Sequence, residues 1–235
     1  MTLSAIEPAQ RTAARVAGFL YLLQMACGVF GEMYVRGRLL VPGDAVQTAK
    51  NIAASESLFR LGIATDLITY AGVVVLTWAL YVVLKPVDPR LALLAVFLRL
   101  VENAISAAAV FNSLVALRLL GGADYLGAFS TEQLAALARV FIAGQGAGLQ
   151  IAFVFVGLGT AVFSWLWLKS RYIPRALAVW GIFSSLLLGI GTLAIIAFPR
   201  LDVGLAYMMP MGLYEVGLGL WLLIRGVRVP IAAAA

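Results

Sequence analysis

The stretch RLVENAIS, Arg99 to Ser106, sets an arginine, a glutamate and an asparagine close together in a neighbourhood that is otherwise apolar. A guanidinium and a carboxylate three residues apart can pair on one helix face, and a carboxylate held that way is a proton or cation acceptor whose affinity the arginine sets. At helical spacing Arg99, Glu102, Asn103, Ser106 and Ser113 fall on one stripe about 100° wide. Two further stripes have the same character: Asp66, Thr69, Tyr70 and Thr77, and Tyr21, Gln24, Gly28 and Glu32.

Glu32, Asp66, Arg99, Glu102 and Glu215 all lie inside or at the edge of long apolar runs. Each would cost roughly 2.5 to 3.5 kcal/mol at the centre of a lipid-facing helix, so they are expected to face one another, the interior or water. Asn112, Gln145 and Gln150 fall at the level of Glu32 and Asp66. The pattern predicts a polar cavity open to the outer side, with Arg99, Glu102 and Glu215 at its floor. Asp66 and Glu32 would raise local cation concentration at its entrance. A plainer reading stands beside this one: the Arg99 and Glu102 pair only specifies packing and register, and Glu32 and Asp66 are simply hydrated.

Other chemistries are poorly provided for. The chain has no histidine and one cysteine, Cys27, so neither a zinc site nor a histidine-based metal cluster can be built in the usual way. A serine–histidine triad is ruled out, and no G-x-S-x-G elbow occurs. The glycines of AGQGAG, Gly144, Gly146 and Gly148, fit neither a phosphate loop nor a dinucleotide fingerprint and suit close helix packing. No cofactor is expected.

The elements that must hold these residues are membrane spans. The 235 residues are 63% hydrophobic and 12% charged, with mean hydropathy +1.00, far from the roughly 25% charged residues of a soluble domain. Runs long enough to cross a bilayer, about 20 residues each, occur near 16–35, 61–84, 91–120, 149–167, 176–198 and 206–224. The expectation is all-α: one six-helix transmembrane domain over 1–235, with two short amphipathic helices in the outer loops. The net charge of +6 is spread over helix ends, which argues against nucleic acid as a partner. The lipid bilayer is the expected partner, with a small polar or cationic solute, a protein partner or a second copy of the chain left open.

The first apolar run extends beyond signal-peptide length, and Gln24, Met25 and Ala26 make a poor approach to an acylated Cys27. The turns Lys85 to Arg90 and Lys169 to Arg175 hold five basic residues, which predicts that this side, with both termini, faces the cytoplasm of an inner membrane. Those turns resemble each other, LKPVDPRLALLAV from Leu84 and LKSRYIPRALAVW from Leu168, and suggest three successive hairpins. Asp44 with Gln47, and Ser130 with Gln133, have capping-box spacing. They open the two segments read as amphipathic surface helices or plain connecting helices. Pro210, near the outer start of the sixth run, either kinks that helix or lies in its first turn.

The run VPGDAVQTAKNIAASESLFRLGIATDLI, Val41 to Ile68, then LYVVLKPVD, and the stretch from Gln133 to Leu177 ending in KSRYIPRAL, resemble a family of bacterial multi-pass membrane proteins known as domain of unknown function 4386. The likeness runs from about Ala14 to about Gly217. It is sharpest at Pro42, Gly43, Asp44, Asn51, Ser55, Glu56 and Arg60. It implies an inner-membrane protein of about six helices and no assigned activity. Relatives are expected often to carry a histidine near Gln145, so proton or metal chemistry drawn from them would not carry over. Asn51, Ser55, Glu56 and Arg60 are read either as a solvated face or as one side of a helix over the cavity mouth. The leading expectation is binding or conduction of a proton, ion or small cationic solute. A structural or accessory protein comes second, and a carboxylate-based lipid-active enzyme third.

Overall fold

The computed structural model describes residues 6–122, 126–198, 200–201, 204 and 206–228. It is helical throughout, with no strand among the described residues, and six helices are long and apolar enough to span a membrane. The first is α1 (Pro8–Val29), which continues as a π-helix over Phe30–Arg36 and ends in the single turn α2 (Gly37–Leu39). A short helix, α3 (Ala45–Ala54), follows. The other spans are α4 (Glu56–Leu84), α5 (Pro89–Leu120), α6 (Thr131–Ser170), α7 (Arg175–Ala197) and α8 (Met209–Ile224).

Several spans are longer than their apolar runs suggest. The capping box at Ser130 forms as expected: the Ser130 amide donates to Gln133 Oε1 at 2.8 Å, and the Gln133 amide to Ser130 Oγ at 3.3 Å. The helix it opens, however, is not a separate surface helix. It runs unbroken into the fourth span, giving 40 residues, about 60 Å at 1.5 Å per residue. No proline interrupts Thr131 to Ser170, and two of the glycines of AGQGAG, Gly144 and Gly148, are used for close approach of α5. A Cβ on Gly148 would lie 2.7 Å from the Ala109 methyl, and one on Gly144 would lie 3.1 Å from Asn112 Oδ1.

The chain forms two compact units. The first comprises 1–25, 72–103 and 151–235; the second comprises 26–71 and 104–150.

In the first unit small residues bring helix backbones into contact, as expected where lipid removes the hydrophobic drive for association. Gly157 of α6 faces Gly189 of α7 so closely that a Cβ would sit 2.6 Å from the Gly189 Cα, and Gly18 of α1 meets Gly219 and Leu223 of α8 in the same way. Ser164, Ser184, Ser185 and Thr192 are buried, while Ile190, Leu213 and Ile224 are exposed. That inverted pattern suits a hydrocarbon surround. Trp167, Tyr172, Phe163 and Tyr214 fill the core. Pro210 lies in the first turn of α8, where its missing N–H is no loss, and its carbonyl accepts from Trp180 Nε1 at 3.1 Å. Asp88 opens α5 by accepting from the Leu91 amide at 3.2 Å, and its carboxylate also meets Lys169 at 3.5 Å. The Leu91 amide, and then Lys169, hold the Asp88 carboxyl below its ordinary range.

In the second unit α3 is the expected amphipathic helix. Asp44 caps it by accepting from the Gln47 amide at 2.8 Å. Its apolar side, with Ile52 buried, packs with Val35, Leu39, Phe59 and Ile63. The Gln47 side chain turns to Asn51 Oδ1 at 2.8 Å instead of closing the box. Asn51 donates to the Leu39 carbonyl at 3.2 Å, Ser55 ends the helix, and Glu56 pairs with Arg60 at 2.6 Å on the exposed surface. Each of these four residues therefore has a local structural role.

Gly157→Leu should lower stability by about 1–3 kcal/mol or more through overpacking. Gly146→Ala, where a Cβ meets nothing within 4 Å, should be neutral or gain up to about 1 kcal/mol. Thermal unfolding in detergent compares the two. For Asp88 the folded carboxyl titrates lower than the unfolded one, so its contribution is present above the unfolded value, about pH 3.9. It is lost as pH falls through the depressed folded value. Asp88→Asn should flatten that acid limb in a stability-versus-pH series.

Candidate functional site

Among the described residues, each unit holds a cluster of charged and polar side chains. In the first unit, Arg99 Nη1 lies 3.2 Å from Glu102 Oε2, one turn apart on α5, with both side chains nearly fully buried. The aliphatic stem of Arg99 rests on α6 at Gly159, where a Cβ would approach its Cγ to 3.0 Å. A larger residue there would require the stem to shift by a few tenths of an ångström. Glu215 of α8, partly buried, lies within electrostatic reach of both Arg99 and Glu102, and the Gln24 side chain of α1 hydrogen-bonds its carboxylate. Tyr21, one turn before Gln24, is buried and within reach of Glu215 and Arg99. Beside Glu215, the Tyr214 hydroxyl and Ser164 Oγ are 3.0 Å apart. Two carboxylates thus share one guanidinium, with amide and phenol groups around them.

In the second unit the first span supplies two charges from its π-helical segment. Arg36 Nη1 meets Glu32 Oε1 at 3.0 Å and Asp66 Oδ1 of α4 at 3.4 Å, while Arg36 Nη2 pairs with Asp66 Oδ2. The two-pronged contact suits a planar guanidinium against a carboxylate. Gln145 of α6 donates through Nε2 to Asp66 Oδ2 at 3.1 Å, and its Oε1 accepts from Ser113 Oγ of α5. One continuous chain of polar contacts therefore links four helices. Gly31 lies against it: a Cβ there would be 3.3 Å from both Arg36 Nη1 and Asp66 Oδ1. Tyr70, one turn beyond Asp66, lies within electrostatic reach of Arg36.

The stripe on α5 is buried as its spacing predicts, at Arg99, Glu102, Asn103, Ser106 and Ser113. Arg36 is the residue that sequence reasoning missed. The first apolar run ends near Val35, which leaves Arg36 just beyond it, yet the helix continues to Leu39. Its spacing of four from Glu32 was the available signal. Asp66 is consequently matched by a cation instead of standing as bare negative charge.

Glu32, by contrast, is exposed. The stripe through Tyr21 and Gln24 is already exposed at Gly28, within α1, and in the π-helix that follows the buried residues are Gly31 and Val35. Gln150 is exposed as well; five residues beyond Gln145, it points about 140° away around the helix. Among the described residues, no group of three or more His, Cys, Asp or Glu side chains could hold a metal ion.

Six membrane-length helices that hold ionised side chains against one another define an integral, multi-pass membrane protein. Residues 16–226 match the model of a domain of unknown function, DUF4386, and the chain belongs to that family. No curated protein and no solved structure matches it.

The Arg36 and Asp66 contact can be measured by a double-mutant cycle. Arg36→Met and Asp66→Leu should each destabilise by about 2–4 kcal/mol, since each leaves a partly buried charge unanswered. The combined variant should recover much of the loss, with a coupling of about 0.5–3 kcal/mol, read from denaturation midpoints in detergent.

Proposed function

We propose that the protein binds a proton or a small cation at Glu102 and Glu215, on either side of Arg99, and passes it through the membrane. The observation that carries this reading is the count of charges in the first unit: two carboxylates within reach of one guanidinium. With both carboxylates ionised the cluster holds one net negative charge. An unbalanced charge in a low-dielectric interior costs several kcal/mol. A proton or a monovalent cation supplies the balance, whereas an anion would add to the imbalance. Gln24 and Tyr21 offer neutral dipoles to a cation or a protonated carboxyl alike. The Arg36, Asp66, Gln145 and Ser113 chain of the second unit serves in this reading as a fixed structural element, because its carboxylate is already matched. Both termini are assigned to the cytoplasmic side of an inner membrane, supported by the density of basic residues in the turns 85–90 and 169–175 and the usual excess of such residues on that side.

Purified protein in liposomes, with a trapped pH-sensitive dye, tests the reading. Wild-type protein should dissipate an imposed pH or cation gradient. Glu102→Gln and Glu215→Gln should each lower the flux about tenfold or more, the size of effect expected when a positioned proton-transfer group is lost. Glu32→Gln, at an exposed carboxylate, should leave it unchanged. Flux that survives both buried substitutions removes the proposal.

A second reading, an accessory protein whose buried charges only set packing, is favoured by one observation, the seating of the Arg99 stem on Gly159. It requires Arg99→Met combined with Glu102→Leu to fold at least as stably as the parent, since an apolar replacement of a buried pair is often neutral or stabilising. It also requires every measured function to survive that change.

A further inference from the structure

The net charge of the chain is unevenly placed. The second unit has six basic and six acidic residues, whereas the first has eleven basic and five acidic, so the whole excess of +6 belongs to the first unit. Within it, the fold gathers nine of the basic residues at one end. Gln10 Nε2 donates to the Val83 carbonyl at 3.0 Å, tying the start of α1 to the end of α4. Lys169 meets Asp88 at 3.5 Å, tying the end of α6 to the α4–α5 turn. The Arg228 amide donates to the Tyr172 carbonyl at 3.0 Å, tying the chain after α8 to the α6–α7 turn.

Every basic side chain at that end is exposed, in the α1 start (Arg11, Arg15), the α4–α5 turn (Lys85, Arg90), the α6–α7 turn (Lys169, Arg171, Arg175) and beyond α8 (Arg225, Arg228). Among the described residues at that end, the acidic ones are Glu7 and Asp88, and Asp88 is already engaged by the Leu91 amide and Lys169. The Arg228 guanidinium lies 4.5 Å from the centre of the Trp221 ring, an indole at the end of a span, the position such rings take at the headgroup level of a bilayer.

We propose that this end of the first unit is a docking surface for anionic phospholipid headgroups of the surrounding membrane, with Arg171, Arg175 and Arg228 as its principal contacts. Charge complementarity selects the occupant: a dense, exposed, nearly unopposed set of guanidinium and ammonium groups at headgroup depth matches phosphodiester anions, as clusters beside spanning helices do. Arginine suits phosphate especially because its donors form a planar fork. A zwitterionic headgroup carries no net charge for this surface to answer.

The test uses the full chain in micelles of an uncharged detergent. Phosphatidylglycerol or phosphatidylcholine is added at equal amounts, the thermal midpoint is followed by tryptophan fluorescence, and retained lipid is counted by native mass spectrometry. Phosphatidylglycerol should raise the midpoint and stay bound, and salt should weaken the effect. The variant R171Q/R175Q/R228Q should lose tenfold or more of that retention, and the single change R175Q should lose about fivefold. R118Q/R139Q, in the second unit, should retain it fully. Glutamine at 228 keeps the backbone amide that bonds Tyr172, and R175Q supplies the measurement should the triple variant misfold. Equal retention of both lipids, wild-type retention by R175Q, or the same stabilisation by inorganic phosphate alone would each overturn the proposal.

Discussion

An ionised group placed among hydrocarbon-facing helices has to be answered by an opposite charge or by directed hydrogen bonds, and the arrangement of both units follows from how this chain supplies those answers. Arg99 is answered on its own helix by Glu102 and across the first unit by Glu215. Arg36 is answered by Glu32 on its own helix and by Asp66 on another. The two clusters share one composition, an arginine with two carboxylates. Their surroundings differ: Arg99 and Glu102 are buried, whereas Glu32 reaches the surface. That difference separates a cluster suited to exchanging a proton or cation from one suited to holding helices in register.

Close approach of helices makes these contacts possible. Gly159 leaves the space that the Arg99 stem fills, and Gly31 leaves the space between Arg36 and Asp66. Gly157 against Gly189 and Gly18 against Gly219 set helix separations small enough for short polar side chains to reach a partner. Packing and electrostatics are therefore one constraint in this protein: enlarging a glycine would move the charges apart. The same economy explains the buried Ser184 and Ser185, whose hydroxyls both return to the Gly181 carbonyl of their own helix.

The π-helix at Phe30–Arg36 is where local and tertiary demands meet. Such i→i+5 segments are rare and recur at functional sites. Here Glu32 and Arg36 both reach the Asp66 network, while Val35 stays in the apolar core of the second unit.

By itself the sequence determined the class of protein, the number of spans, the burial of the α5 stripe and the caps at Asp44 and Ser130. Each of these rests on local information: hydropathy over about 20 residues, a helical repeat of 3.6, or a side chain within three positions of an amide. Family membership was legible too, in the run from Val41 to Ile68. Tertiary structure alone decided that Arg36 belongs to the first span and answers Asp66, that Gln145 joins that network while Gln150 does not, and that the segment after Ser130 is one with the fourth span. These outcomes depend on which residues of distant segments are neighbours and on a local change of helical pitch. Neither can be read from spacing along one helix, because ion pairs and close glycine contacts are properties of two helices at once.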